Sequence, residues 1–234
     1  MAWTGDTYRQ ACVEYILKNN IFVPGKANYQ FGIYSGTTLK FIYYLFLKYD
    51  IPCQKILAFD SFEGLPEEAR GIEKSDEWDK GVYSMKAMFQ QDDPQKIIDK
   101  IMERVSIHDD ALESTRKIPI EWHVGFFADV LNADFMAGGP LPAFWVDLDV
   151  DMYISAVQVL DFMLKNQLIQ VDTVLSFDDW GGTEEYRGGE SLAFKEMCEK
   201  YKMFAECFHT YEGVDKRDAN RHHCQKAFIV RSIG

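Results

Sequence analysis

Phe144-Trp145-Val146-Asp147-Leu148-Asp149-Val150-Asp151-Met152-Tyr153 is an apolar run that ends abruptly in carboxylates. Val174-Leu175-Ser176-Phe177-Asp178-Asp179-Trp180-Gly181-Gly182 repeats the design further along the chain. Runs of this length, rich in β-branched and aromatic residues, predict buried strands. In an open parallel α/β sheet, ligands sit beyond the carboxyl ends of the strands. Two adjacent strand ends of this kind would aim Asp149, Asp151, Asp178 and Asp179 at one spot. Carboxylates so close repel one another, and a hard divalent cation is the usual remedy. A plainer reading makes them exposed loop acids or helix caps, but it leaves the repetition unexplained. A calcium loop of the EF-hand type does not fit, because Met152 stands where Gly is needed and Gln158 where the bidentate Glu would be.

Outward from these strands, helical and extended patterns alternate. Helical spacing covers Thr7 to Lys18, and Pro24-Gly25 breaks it. A first strand is predicted over Tyr29 to Tyr34, then a turn at Gly36 and an apolar helix over Thr37 to Tyr49. A second strand runs from Lys55 to Phe59 and ends at Asp60. Ser61 to Tyr83 is polar and too long for a simple connection, which makes it a lid or binding loop. Helical segments follow between Met85 and Thr115, with Pro94 at a start position. A third strand spans Pro119 to Val124, and a short helix Phe126 to Leu131. The two Asp-tipped strands are separated by a helix over Ser155 to Asn166 and followed by one over Glu190 to Tyr201. Phe204 to Tyr211 and Gln225 to Val230 read as a closing hairpin. Alternating βα units with a terminal hairpin predict an α/β fold with a doubly wound, mostly parallel sheet.

Composition narrows the function. The 234 residues are 47% hydrophobic, enough for a full core in one domain, and the net charge is −12. Nucleic acid or an anionic membrane as main partner calls for a basic surface, so neither is expected. The first residues lack the basic and apolar regions of a signal peptide, and no segment is apolar for long enough to span a bilayer. The five cysteines are unclustered and odd in number, which suggests neither a disulfide frame nor a zinc site. The cytoplasm is the expected location. Trp3, Tyr8 and the apolar helix from Phe41 to Leu47 offer surface for a homo-oligomer.

The turn Gly32-Ile33-Tyr34-Ser35-Gly36-Thr37-Thr38 lies between the first strand and its helix, where glycines let a ligand approach the backbone and the helix N-terminus. Asp60, ending the next strand, is placed to accept hydrogen bonds from ribose hydroxyls, and equally to cap the turn at Ser61-Phe62. Phe59-Asp60-Ser61-Phe62-Glu63-Gly64-Leu65-Pro66-Glu67 closely resembles the signature of the macrocin O-methyltransferase (TylF-like) family. Phe31 to Gly36, Trp78 to Ser84, Val124 to Leu131, Leu148 to Ser155 and Phe177 to Gly181 are similar to further blocks of that family, in the expected order. Three positions depart from it: Gln30 stands where a Glu is usual, Val150 where a Gly is common, and Asp147 adds a carboxylate.

The resemblance implies a Rossmann-like class I methyltransferase fold in a single domain over 1–234, with an N-terminal helical cap over 1–28 and an active-site lid over 61–84. It implies transfer of a methyl group from S-adenosylmethionine to a hydroxyl of a small molecule, a sugar or phenol of a natural product, with Mg²⁺. Gly32, Tyr34, Gly36, Thr37, Asp60 and Ser61 would hold the cofactor, with Gly125 and Phe126 beside its adenine and Asp149 facing it. Asp149, Asp178 and Asp179 would be the metal ligands. Asp151 would be the base: if strand geometry persists past the strand end, Asp149 and Asp151 face the same side, and Asp151 lies one step further into the crevice and matches the family's basic carboxylate; His123 is a second candidate. Two other readings use the same residues: Asp149-Val150-Asp151 as the DxD pair of a metal-dependent glycosyltransferase, or a catalytically degenerate methyltransferase fold that serves as a binding protein.

Overall fold

A computed structural model describes residues 7–74, 78–106, 116–180, 188–214 and 222–234. Expectations that fall on Trp3, Gly181, Gly182 and the helical tail over 107–115 lie outside the described residues.

In chain order the elements are α1 (Thr7–Lys18), β1 (Ala27–Phe31), α2 (Thr37–Lys48), β2 (Ile56–Asp60), α3 (Met85–Phe89), α4 (Pro94–Ser106) and β3 (Ile120–Val124). Then come α5 (Phe127–Val130), α6 (Ala133–Ala137), β4 (Ala143–Leu148), α7 (Tyr153–Lys165), β5 (Val174–Phe177), α8 (Gly189–Lys200), β6 (Phe204–Val214) and β7 (His222–Ser232). One sheet contains all seven strands in the order β3-β2-β1-β4-β5-β7-β6. β1 to β5 are parallel, and β7 runs antiparallel to both β5 and β6. This is the doubly wound sheet with a terminal hairpin that the alternation predicts. β1 has β2 on one side and β4 on the other, so the chain reverses its winding there and a crevice opens at the strand ends.

Strand alternation divides the core in two. Tyr29, Phe31, Phe59, Val146, Leu148 and Phe177 pack with α7 and α8, where the Phe31 and Phe59 rings stack 4.6 Å apart. Ile56, Ala58, Trp145 and Val174 pack with α1, α2 and α4 on the other face. The central strands β1 and β4 are buried along their whole length, as a parallel sheet covered on both faces requires. No helix among the described residues is long and apolar enough to cross a membrane.

Three expectations change. β1 ends at Phe31 rather than Tyr34, because Gly32 adopts φ +83° and Tyr34 itself φ +44°, which takes the chain out of the extended region. β4 stops at Leu148, and Asp151 sits at φ +57°. Strand alternation therefore does not reach Asp151, and the same-side argument for Asp149 and Asp151 fails. Tyr8 and the apolar residues Phe41, Ile42, Leu45, Phe46 and Leu47 are core rather than interface surface. A further helix, α6, was not foreseen; Asn132 caps it by accepting from the N–H groups of Asp134 and Phe135.

Candidate active site

The crevice floor continues the parallel ladder past the strands. The first loop residue of each strand donates to the neighbouring chain: Gly32 N–H to Phe59 O, Asp149 N–H to Phe31 O, Asp178 N–H to Leu148 O and Gly125 N–H to Asp60 O, all at 3.0 Å. Four loops are thus pinned side by side over a cavity of about 440 Å³, within the range of roughly 300–1,000 Å³ usual for small-molecule sites. Gly32, Tyr34, Thr37, Asp60, Ser61, Gly125, Phe126, Asp149 and Asp151 line it, together with Asp178 and Asp179. Of the expected cofactor residues only Gly36 does not. It caps α2 at φ +78°, and a Cβ there would lie 2.4 Å from the Ile101 side chain, so its contribution is the shape of the turn. No side chain caps α2, and Thr37 and Thr38 turn its N-terminus toward the cavity, a favourable place for an anionic ligand group.

Asp60 organises the turn. Its Oδ2 accepts from the N–H groups of Ile33 and Tyr34 at 2.8 and 2.9 Å, and its Oδ1 from Phe62 N–H at 2.7 Å. Burial pushes its pKa up, and these three bonds pull it back. Asp60 therefore caps both the loop after β1 and its own turn, and it lines the cavity.

The acidic side is denser than the sequence suggests. One carboxylate oxygen from each of Asp149, Asp178 and Asp179 lies within 4.8 Å of the others. Asp149 keeps 27% of its side chain exposed and Asp178 19%, so both remain open to the crevice. Burial, then the charge of Asp178, pushes Asp149 well above the ordinary carboxylate range, while Arg9 pulls the other way. Burial, then the charge of Asp179, does the same to Asp151, which lies within hydrogen-bonding reach of Asp179. Asp147 turns away from this group. It is buried on the α1 face, where it accepts from Ser176 Oγ at 2.6 Å and pairs with Arg9.

Two residues of the site escape sequence reasoning. Arg9, in α1, donates through Nε to Asp147 at 2.9 Å and through Nη2 to Asp149 Oδ2 at 3.0 Å, and its Nη1 lies 3.4 Å from Asp178 Oδ1. Glu190, fully buried at the start of α8, accepts from Val150 N–H and Asp179 N–H at 3.0 Å each and so ties the two acidic loops together. The one signal for Arg9 is Asp147 itself, an acid inside an apolar strand that needs a charged partner when buried. Glu190 reads in sequence as an ordinary acid in the first turn of a helix.

The acidic group suits a hard cation. All donors are carboxylate oxygens, and the contacts from Arg9 and Gln225 fall on Oδ1 of Asp178, the one from Arg9 on Oδ2 of Asp149. His123 is not part of this arrangement. It lines a separate depression with Lys55, Glu121 and Phe135, stacks on Phe59 at 4.5 Å and lies 3.1 Å from Glu121. Burial lowers its pKa.

The described part of 61–84 is docked. Leu65 and Trp78 bury against Met152, and Leu65 N–H donates to Val82 O while Gly81 N–H donates to Leu65 O, both at 2.9 Å. Glu68 accepts from Tyr153 N–H and Ile154 N–H at 2.9 Å, which caps α7 from outside that helix. Met152, the residue preceding α7, supplies no cap of its own.

The sequence matches no family model and no curated protein. Solved structures do match. The O-methyltransferase NovP aligns with 97% of this chain and 79% of its own at a TM-score of 0.64 and 16% identity. CalS11, a calicheamicin methyltransferase, aligns with 95% of this chain and 79% of its own at 0.63 and 16%. The fold is that of the class I methyltransferases. The N-methyltransferase NodS from Bradyrhizobium japonicum also shares it, at 10% identity and a TM-score of 0.51 over 97% of this chain and 98% of its own. A methyltransferase fold thus serves acceptor nitrogen as well as oxygen, and the acceptor has to be argued from the site.

Proposed function

We propose that this chain is an S-adenosylmethionine-dependent O-methyltransferase of the macrocin (TylF-like) type, acting with Mg²⁺ on a hydroxyl of a small molecule. One observation carries the reading: the glycine turn with Asp60 and the carboxylates Asp149, Asp151, Asp178 and Asp179 line the same cavity at the switch point of the sheet. A cofactor turn alone would suit methylation of any atom, whereas oxygen donors for a hard cation suit a hydroxyl acceptor. NovP and CalS11, the latter a TDP-rhamnose 3′-O-methyltransferase, support the same chemistry. The glycosyltransferase reading has no support from this fold.

When bound, S-adenosylmethionine supplies an electrophilic methyl group, and Mg²⁺ supplies Lewis acidity toward the acceptor hydroxyl. The chain does the rest. The turn from Gly32 to Thr38, Asp60 and Ser61 bind and orient the cofactor, with Gly125 and Phe126 lining the same cavity beside Asp60. Asp149, Asp178 and Asp179 are the oxygen donors for the cation. Asp151, which lines the same cavity beside the cation donors, takes the hydroxyl proton on its carboxylate. The segment over 61–84 covers the cavity through Gly64, Leu65, Pro66 and Tyr83 and keeps water from the reacting centre.

The test is a mass-spectrometric screen with S-adenosylmethionine, Mg²⁺ and a panel of phenols and glycosides, followed by Asp151→Asn on whichever acceptor is methylated. The variant should lose about two to four orders of magnitude in kcat with cofactor affinity retained. Failure to bind S-adenosylmethionine in calorimetry would refute the methyltransferase reading. Full turnover in excess chelator would refute the metal.

A further inference from the structure

We propose that Arg9 is the positioning residue of the cation site, a guanidinium clamp that holds Asp149 and Asp178 from behind in the arrangement that takes one divalent ion. The inference rests on the metal reading above. Arg9 is 138 residues from Asp147 in sequence, yet its side chain is 4% exposed and all three guanidinium nitrogens meet carboxylates. Nε meets both oxygens of Asp147 at 2.9 and 3.2 Å, Nη2 meets Asp149 at 3.0 Å, and Nη1 meets Asp178 at 3.4 Å.

The three acids are not equivalent. Asp149 and Asp178 line the crevice, whereas Asp147 does not. Asp147 is instead the end of a buried chain in which Trp145 Nε1–H donates to Ser176 Oγ at 2.7 Å and Ser176 donates to Asp147 at 2.6 Å. The guanidinium stands between that fixed anchor and the two acids that line the crevice. A buried ion pair needs only the anchor; the two further contacts, one on each loop, are what a purely structural pair leaves unexplained. The planar fork of an arginine reaches three partners in set directions, and a lysine ammonium, a point charge on a flexible stem, does not. Neutralising part of the acidic charge also lets Asp149 and Asp178 stay close before any cation arrives.

Positioning and charge predict opposite results, which makes the inference testable. If Arg9 acted only as a neighbouring positive charge, Arg9→Lys would bind cations as the parent does, and Arg9→Met would bind them more tightly. If Arg9 positions the donors, both substitutions weaken binding, by about tenfold or more, the usual scale for a partner that orients metal ligands. The measurements are calorimetric Mg²⁺ titration and electron paramagnetic resonance with Mn²⁺, on full-length protein whose fold is checked by circular dichroism. Weaker binding in both variants supports the clamp. Unchanged binding in Arg9→Lys, or tighter binding in Arg9→Met, overturns it. Should Arg9→Met not fold, the double variant Arg9→Met with Asp147→Asn removes the buried charge from both sides and is read in the same way. A parent protein that binds neither cation refutes the metal reading, and the clamp with it; a parent that binds beside variants that bind equally well refutes the clamp alone.

Discussion

Gly32→Ala should be among the most damaging single substitutions in the chain. Gly32 sits at φ +83°, and a Cβ there would lie 1.8 Å from the carbonyl oxygen of Asp149 and 2.9 Å from its carbonyl carbon. Both atoms are backbone, so no rotamer relieves the contact. Two costs add. The left-handed conformation costs a non-glycine residue about 1–2 kcal/mol. The loop after β1 must also separate from the loop after β4, which breaks the bond from Asp149 N–H to Phe31 O, worth roughly 1 kcal/mol, and opens a close-packed join. The expected loss is about 3–5 kcal/mol, in the range reserved for core disruption. Gly25→Ala is the control. It has φ +76° and nothing within 4 Å of an added Cβ, so it carries the conformational cost alone, about 1–2 kcal/mol. Urea unfolding of both variants, compared at constant m-value, isolates the contact. In a chain of this size the Gly32 variant should melt roughly 6–20 °C lower. Equal losses in the two variants, to within about 0.5 kcal/mol, would refute the close approach of the two loops.

Two further outcomes follow from the same geometry. Glu68→Ala removes the side-chain acceptors that the described residues place at the start of α7, and should cost about 0.5–2 kcal/mol while speeding amide exchange at Leu65 and Gly81; unchanged exchange would show that the apolar contacts of Trp78 hold the segment without it. Stability should also depend on pH in a definite direction: Asp149, Asp151 and Glu190 have folded pKa values raised chiefly by burial, so their stabilising share is complete below the ordinary carboxylate value of about 4 and is lost as pH rises through the folded values. In chelator the melting temperature should fall as pH rises from about 5 toward 8, and Mg²⁺ should flatten that slope, because a ligand bound only by the folded state stabilises it; a melting temperature that rises over this interval in chelator would contradict the burial of these acids.

The sheet was legible because its causes are local. Phe144 to Leu148 and Val174 to Phe177 are strands for reasons contained in their own residues, and the apolar run from Leu39 to Leu47 is a helix for the same reason, although its pattern left open whether it faces the core or a second copy. Asp149, Asp178 and Asp179 were legible as a group for the same reason: parallel strands that end together deliver their next residues to one place. What failed was any inference that carried a regular pattern past its element. Alternation ends at Leu148, so Asp151 reaches the crevice through a left-handed turn and not through strand geometry. His123 fails on direction, since its ring lies against Phe59 and Phe135 rather than in the crevice.

Arg9 and Glu190 were illegible for a different reason. Each takes its meaning from residues far away in sequence, and neither stands in a pattern that a window could detect. Asp147 and Asp149 lie two apart at the end of one strand, yet the first is anchored under α1 by Ser176 and the second opens to the cavity. Arg9 spans that difference, and Glu190 spans the gap between the loops after β4 and β5. Asp149 is where these constraints converge. Its N–H is bound to Phe31, its carbonyl faces Gly32 with no room for a methyl group, and its carboxylate meets Arg9. The residue that closes the glycine turn from one side is thus also the residue that opens the acidic group on the other. A shift at Gly32 is therefore transmitted by contact, with no moving part between them, to the place where the acceptor oxygen would have to be held.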